Sequence, residues 1–125
     1  MKFFLEIDVE QVKTQHRKAI ERYGGSAGII DERKIESALN FLYLDQFTIP
    51  QIAGKLAYRI LVNHAFEDGN KRTALLSAQL FLKLNGFRYT AREHDSIEIF
   101  IGMAKGEKSE LDCMAHFDIN TEKRC

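Results

Sequence analysis

Two cysteines in 125 residues, one of them the final residue, are too few for a disulfide framework. Reduced thiols at Cys113 and Cys125 are the expectation. Proline occurs once, at Pro50, and tryptophan not at all. No repeat, linker or low-complexity stretch divides the chain. Eighteen basic residues balance eighteen acidic ones. This removes the global field that drives non-specific binding to nucleic acid or anionic membranes, and leaves only a local cationic site open. No run of about 18 apolar residues occurs, so no membrane-spanning helix is expected. The start, MKFFLEIDVE, carries Glu6 and Asp8 where a secretory segment needs roughly seven or more apolar residues in a row. The chain reads as one cytoplasmic domain over residues 1–125, and its 45% apolar residues supply a proper core.

What is present is helical punctuation. Asp8 caps a first helix with apolar positions Val9, Val12, Ala19, Ile20 and Tyr23, and Gly24 and Gly25 end it. The GGSAG loop has no preceding strand and no lysine at nucleotide-loop spacing, so it reads as a flexible connector. Asp31 caps a second helix through Ile35, Ala38, Leu39 and Leu42, running to about Tyr43 or Leu44. Thr48 and Gln51 form a capping box for a third, with a clean stripe of Ile49, Ile52, Ala53, Leu56, Ala57, Ile60 and Leu61. A fourth helix over about residues 70–85 has Ala74, Leu75, Leu76, Ala78, Leu80, Phe81, Leu82 and Leu84 and almost no polar face, which predicts burial all round. Phe87 to Thr90 reads as a short extended piece. A fifth helix opens at Asp95 or Ser96 and closes at Gly106; a sixth opens at Ser109 with Asp112 and runs through Leu111, Met114 and Ala115.

The chemistry concentrates in His64 to Leu75, HAFEDGNKRTAL. The free backbone N–H groups of Gly69, Asn70, Lys71 and Arg72 at a helix start attract anions. Lys71 and Arg72 oppose the helix dipole there by about 0.3–1 kcal/mol each, which points to a bound anion. The Arg72 guanidinium suits phosphate, and Asn70 and Lys71 can add side-chain donors. Asp68 beside phosphates would be repelled unless bridged by Mg²⁺, a cation usually held by one or two carboxylates plus phosphate oxygens. His64 is the candidate general base, since imidazole ordinarily titrates near neutrality. Phe66, apolar among polar neighbours, is expected to plug into the core and aim His64 at the phosphates. Cys113 and His116 have metal-compatible spacing, but no second ligand pair accompanies them, and they read as core or surface residues. His16 and His94 have no recognisable partner, and there is no nucleophile elbow or HExxH.

HAFEDGNKRTAL resembles the HxFxxxNKR motif of the Fic/Doc family in its Doc-type form. The similarity extends to HRKAIERYGGSAGIID, to NGF after the fourth helix and to AKGEKS near the C-terminus. The resemblance implies an all-α bundle of about six helices around a central helix. It also implies the toxin of a toxin–antitoxin module, a protein kinase that passes the ATP γ-phosphate to a threonine of elongation factor Tu and so stops translation and growth. Carried over by position, it makes His64 the base, Phe66 the core anchor, Asp68 the Mg²⁺ ligand, and Asn70, Lys71 and Arg72 phosphate binders. Leu44 to Thr48 falls where Fic proteins align a target as an added strand. No self-inhibitory (S/T)xxxE(G/N) helix occurs, which implies a Phd-like antitoxin acting in trans.

Gly69 stands where Doc-type members have alanine and is similar to the wider Fic group, many of whose members transfer AMP. Those enzymes have a second glycine between the asparagine and the arginine. Lys71 fills that place here and favours the kinase over AMP transfer. An all-α binding or corepressor module without catalysis is the alternative from another class, and the zero net charge speaks against direct DNA binding.

Overall fold

A computed structural model of the protein describes residues 4–40, 42 and 46–124. Within these the chain forms helices α1 (Val9–Tyr23), α2 (Glu32–Leu39), α3 (Ile49–Asn63) and α4 (Asn70–Leu84), strand β1 (Phe87–Tyr89), helices α5 (Glu93–Ala104) and α6 (Glu110–Ile119), and strand β2 (Thr121–Lys123). The fold is all-α apart from one small antiparallel pair, β1 against β2, in which Phe87 faces Lys123.

Local chemistry sets most helix starts. The Asp8 carboxylate accepts the Gln11 N–H while the Gln11 side chain accepts the Asp8 N–H, and the same reciprocal box closes Thr48 with Gln51 and Ser109 with Asp112. Asp31 caps α2 by accepting the Arg33 N–H. Gly24, at φ 84°, ends α1 in a conformation that a side chain would strain.

Helix α3 supplies the floor of the core. It packs against α2, α4, α5 and α6, while α4 packs against α1, α3 and β1. The contact of α3 with α6 is a backbone contact: a Cβ on Gly54 would lie 2.6 Å from Met114 Cα and 2.7 Å from the Cys113 carbonyl oxygen. Lys55 is also buried, its ammonium paired with Glu110 at 3.3 Å and placed 4.3 Å from the centre of the Phe47 ring. Arg59 joins the same Glu110 at 3.2 Å and donates to the Asn40 carbonyl, tying the start of α6 to the end of α2.

Several expectations change. Helix α4 is not buried on every side. Its buried stripe is Asn70, Thr73, Ala74, Ser77, Ala78, Phe81 and Leu82, whereas Leu75, Leu76 and Leu80 are half-buried and Leu84 is exposed. The buried face thus mixes small residues, Ala74, Ser77 and Ala78, with Phe81 and Leu82, and most of the leucines lie beside it. Helix α2 stops at Leu39, where Asn40 turns extended, and Tyr43 and Leu44 lie outside the described residues. Helix α5 starts at Glu93, earlier than Asp95, with Glu93 and Asp95 both in the first turn where the helix dipole favours them. Leu111 on α6 is exposed, and the helix buries Cys113, Met114 and Phe117 instead. Strand β2 had no expectation at all.

Burial raises the Cys113 thiol to about 12, which keeps it protonated and inert. The Tyr89 hydroxyl lies 2.6 Å from both Ser96 Oγ and His116 Nε2, and burial pushes Tyr89 up to about 12 and His116 below its ordinary value. Cys113 and His116 are thus structural groups.

Two measurements test this packing. Gly54→Ala gains about 1 kcal/mol of helix propensity. It also forces a methyl into backbone that cannot yield, and overpacking costs about 1–3 kcal/mol or more. Loss should win, and the melting temperature should fall by several degrees; a variant as stable as wild type would refute the close α3–α6 contact. For His116, the unfolded chain binds a proton below about 6.5 while the folded chain resists it, so stability rises with pH across that window. Urea midpoints should fall between pH 7.5 and 5.5 for the wild type and fall less for His116→Gln; equal slopes would remove His116 from the account.

Candidate functional site

The six-residue hinge between α3 and α4 is where the sequence places its chemistry. Helix α3 ends at His64, which sits at φ 52°, ψ 53°. It is the only non-glycine residue with positive φ among the described residues. That conformation costs an L-residue about 1–2 kcal/mol, and it turns the exposed imidazole out of the helix line. Two residues on, Phe66 is fully buried. Asn70 then closes the loop. Its Oδ1 accepts the Phe66 N–H at 3.3 Å and its Nδ2 donates to the Phe66 carbonyl at 2.9 Å, satisfying both backbone groups of the buried residue. The Asn70 side chain therefore serves the loop's geometry while the residue lines the cleft.

The GGSAG segment is not a free connector. Ile29 and Phe66 form an antiparallel bridge, Ile30 N–H donates to the Ala65 carbonyl at 2.8 Å and Glu67 N–H to the Gly28 carbonyl at 3.1 Å. Ser26 N–H donates to Asp68 Oδ2 at 2.8 Å, and Ser26 Oγ donates to Glu67 Oε2 at 2.5 Å. The glycines let the strap lie this close: a Cβ on Gly28 would meet the Glu67 carboxylate at 2.5 Å. His16, from α1, reaches the same loop, its Nε2 2.9 Å from the Asp68 carbonyl oxygen.

Helix α4 begins at Gly69, φ 79°, with no side-chain cap. Its first N–H groups thus lack the partner that Asp8, Asp31, Thr48 and Ser109 provide for α1, α2, α3 and α6. Lys71 and Arg72 are exposed in its first turn. The Arg72 guanidinium lies 3.9 Å from the centre of the Tyr23 ring, a cation–π contact that holds it at the end of α1.

His64, Asp68, Gly69, Asn70, Lys71 and Arg72 all line one cleft of about 1140 Å³, while Phe66 lies beneath it. Helix α5 also lines it, with Ile97, Phe100 and Ile101 beside Glu93 and Ser96. Phe47 and Thr48 do not line it, since Phe47 sits against Lys55 and Thr48 caps α3. Leu44 and Asp45 of the expected target-aligning segment lie outside the described residues. The sequence reading missed His16, Tyr23 and Ser26. The one signal available was His16's place on the buried stripe of α1 with Val12 and Ala19.

The donor set fits Mg²⁺. Asp68 is exposed at the cleft with one carboxylate oxygen engaged by Ser26, which leaves Oδ1 for a cation shared with phosphate oxygens. Among the described residues, no helix is long and apolar enough to cross a membrane.

The sequence profile of the Fic/DOC family matches residues 6–82. The chain is also 31% identical over 108 residues, 82% of its own length and 85% of the relative's, to a protein of Escherichia phage P1 named "Protein kinase doc". The profile match spans α1 to α3 and nearly all of α4, the helices that carry the imidazole, the strapped loop and the uncapped helix start, and the chain belongs to the Fic/DOC family.

Proposed function

We propose that the protein is a Doc-like toxin: a protein kinase that transfers the γ-phosphate of ATP to a threonine or serine hydroxyl of a translation factor, elongation factor Tu, and so inhibits translation and growth. The observation that carries this reading is an uncapped helix start with two cations, in one cleft with an exposed imidazole and a carboxylate. Four other helices have side-chain caps, and α5, which like α4 lacks one, carries Glu93 and Asp95 in its first turn where α4 has no acidic residue. Leaving this one bare, with Lys71 and Arg72 against the dipole, makes sense where a phosphate completes it.

In this mechanism His64 accepts the proton of the target hydroxyl as its oxygen bonds to the γ-phosphorus, and the bond from that phosphorus to the β–γ bridging oxygen breaks to release ADP. The N–H groups at the start of α4, with Lys71 and Arg72, stabilise charge on the transferring group. Mg²⁺ held by Asp68 would neutralise phosphate charge that the carboxylate otherwise repels. Lys71 separates this chemistry from AMP transfer, because its side chain takes room that further phosphates would need beside Arg72. The toxin's partner is a Phd-like antitoxin acting in trans. Expression of the toxin without that antitoxin should arrest growth of a bacterial host, and harmless overexpression would refute the toxin reading.

Mass spectrometry of elongation factor Tu incubated with enzyme, ATP and Mg²⁺ tests the reaction. Wild type should add one phosphate. His64→Ala should lower the rate by about 10²–10⁴-fold, and Lys71→Gly should lose most of the phosphate increment. An AMP increment from the wild type would replace the kinase reading with nucleotidyl transfer; no increment on any protein of a lysate would support a binding module.

A further inference from the structure

His16 lies on α1, 52 residues before Asp68, whose carbonyl it touches. It is 2% exposed, and its ring stacks on Phe66 with centroids 3.8 Å apart and planes 10° apart. A carbonyl oxygen only accepts, so the 2.9 Å contact requires His16 Nε2 to carry the proton and donate to Asp68. In a trans peptide the C=O and N–H point in opposite directions, and no cis peptide occurs among the described residues. The Asp68 carbonyl, drawn toward α1, therefore turns the N–H at the other end of the same peptide away from α1. That N–H belongs to Gly69, which lines the cleft.

A peptide beside glycine is the one most free to rotate, and a side chain at Gly69 would be strained and tightly placed. A Cβ there would lie 3.2 Å from Ile20 Cδ1 and 3.7 Å from His16 Cδ2, in a conformation, φ 79°, that already strains a side chain. The glycine that lets α1 approach thus leaves the peptide in need of a fastener. Ser26 N–H adds a second one on the Asp68 carboxylate.

We propose that His16 is a positioning residue of the phosphate site: its Nε2–H fixes the Asp68–Gly69 peptide so that the Gly69 N–H is presented to an anion at the start of α4. The proposal rests on the reading that the cleft takes nucleotide phosphates and extends it to a residue outside the motif.

Calorimetric titration of the full chain with ADP, without metal, tests it on four proteins. His16→Phe keeps a ring on Phe66 and loses the donor; His16→Asn keeps an amide that falls one methylene short; His16→Gln keeps an amide that reaches. His16→Phe and His16→Asn should each lose about tenfold in affinity, the worth of one hydrogen bond to a charged group, whereas His16→Gln should stay within about twofold of wild type. His16→Phe binding like wild type overturns the proposal, as does His16→Gln binding as weakly as His16→Phe, since packing and not the donor would then matter. If these variants do not fold, the Gly69 amide resonance of the wild type decides: it should move downfield on adding ADP, and a stationary signal refutes the role. Wild-type protein that binds no ADP sinks the proposal together with the phosphate site. Protein that binds ADP but transfers nothing sinks only the kinase reaction.

Discussion

The loop between α3 and α4 depends on one interaction, the enclosure of Phe66 by Asn70. A buried residue in a loop leaves its own N–H and C=O without the partners that a helix would give, and each unpaired group costs about 1–3 kcal/mol. The Asn70 carboxamide answers both at once, accepting at Oδ1 and donating at Nδ2. Because Asn70 is also the first residue of α4, the clamp fixes where that helix begins relative to the aromatic anchor. With the ring buried and the helix start tied to it, Ala65 and Phe66 are buried and Glu67 and Asp68 exposed, and the pairing with the glycine-rich strap stays a single bridge at Phe66.

How much of this was legible in the sequence follows from the range of each interaction. The starts of α1, α3 and α6 are written in residues three apart, Asp8 with Gln11, Thr48 with Gln51 and Ser109 with Asp112, and these can be read directly. The buried face of α4 could not be read from hydrophobicity alone. Its leucines suggest burial on every side, but polar and small residues, Asn70, Thr73, Ala74, Ser77 and Ala78, share the buried face with Phe81 and Leu82. Strand β2 was invisible because Thr121, Glu122 and Lys123 carry no apolar alternation and pair through their backbone with β1.

The site shows the same division. His64, Asp68, Lys71 and Arg72 stand together in the sequence, and their shared cleft is a consequence of nearness along the chain. The groups that hold them come from elsewhere: His16 and Tyr23 from α1, Ser26 from the glycine-rich strap. No spacing rule connects residues this far apart. The strap was misread for a physical reason as well, since glycines that signal freedom in an isolated loop serve here to bring backbone against Glu67 and Asp68.

The groups exposed to the cleft are the ones that cost stability. His64 carries a left-handed backbone, α4 starts without a side-chain cap, and two cations oppose its dipole by about 0.3–1 kcal/mol each. Other groups compensate. Phe66 buries its ring, Asn70 satisfies the loop's backbone, and Tyr23 gives Arg72 a cation–π contact worth about 0.5–1 kcal/mol on an exposed surface. That last pairing has a second effect. A guanidinium already resting on a ring at the edge of the cleft loses less rotamer freedom when an anion arrives than one free in solvent, so part of the ordering cost is met before binding. Lys71 is exposed and has no such ring contact among the described residues. In the proposed phosphate site the two neighbouring cations therefore bring different things, a preset fork from Arg72 and a point charge on a flexible stem from Lys71.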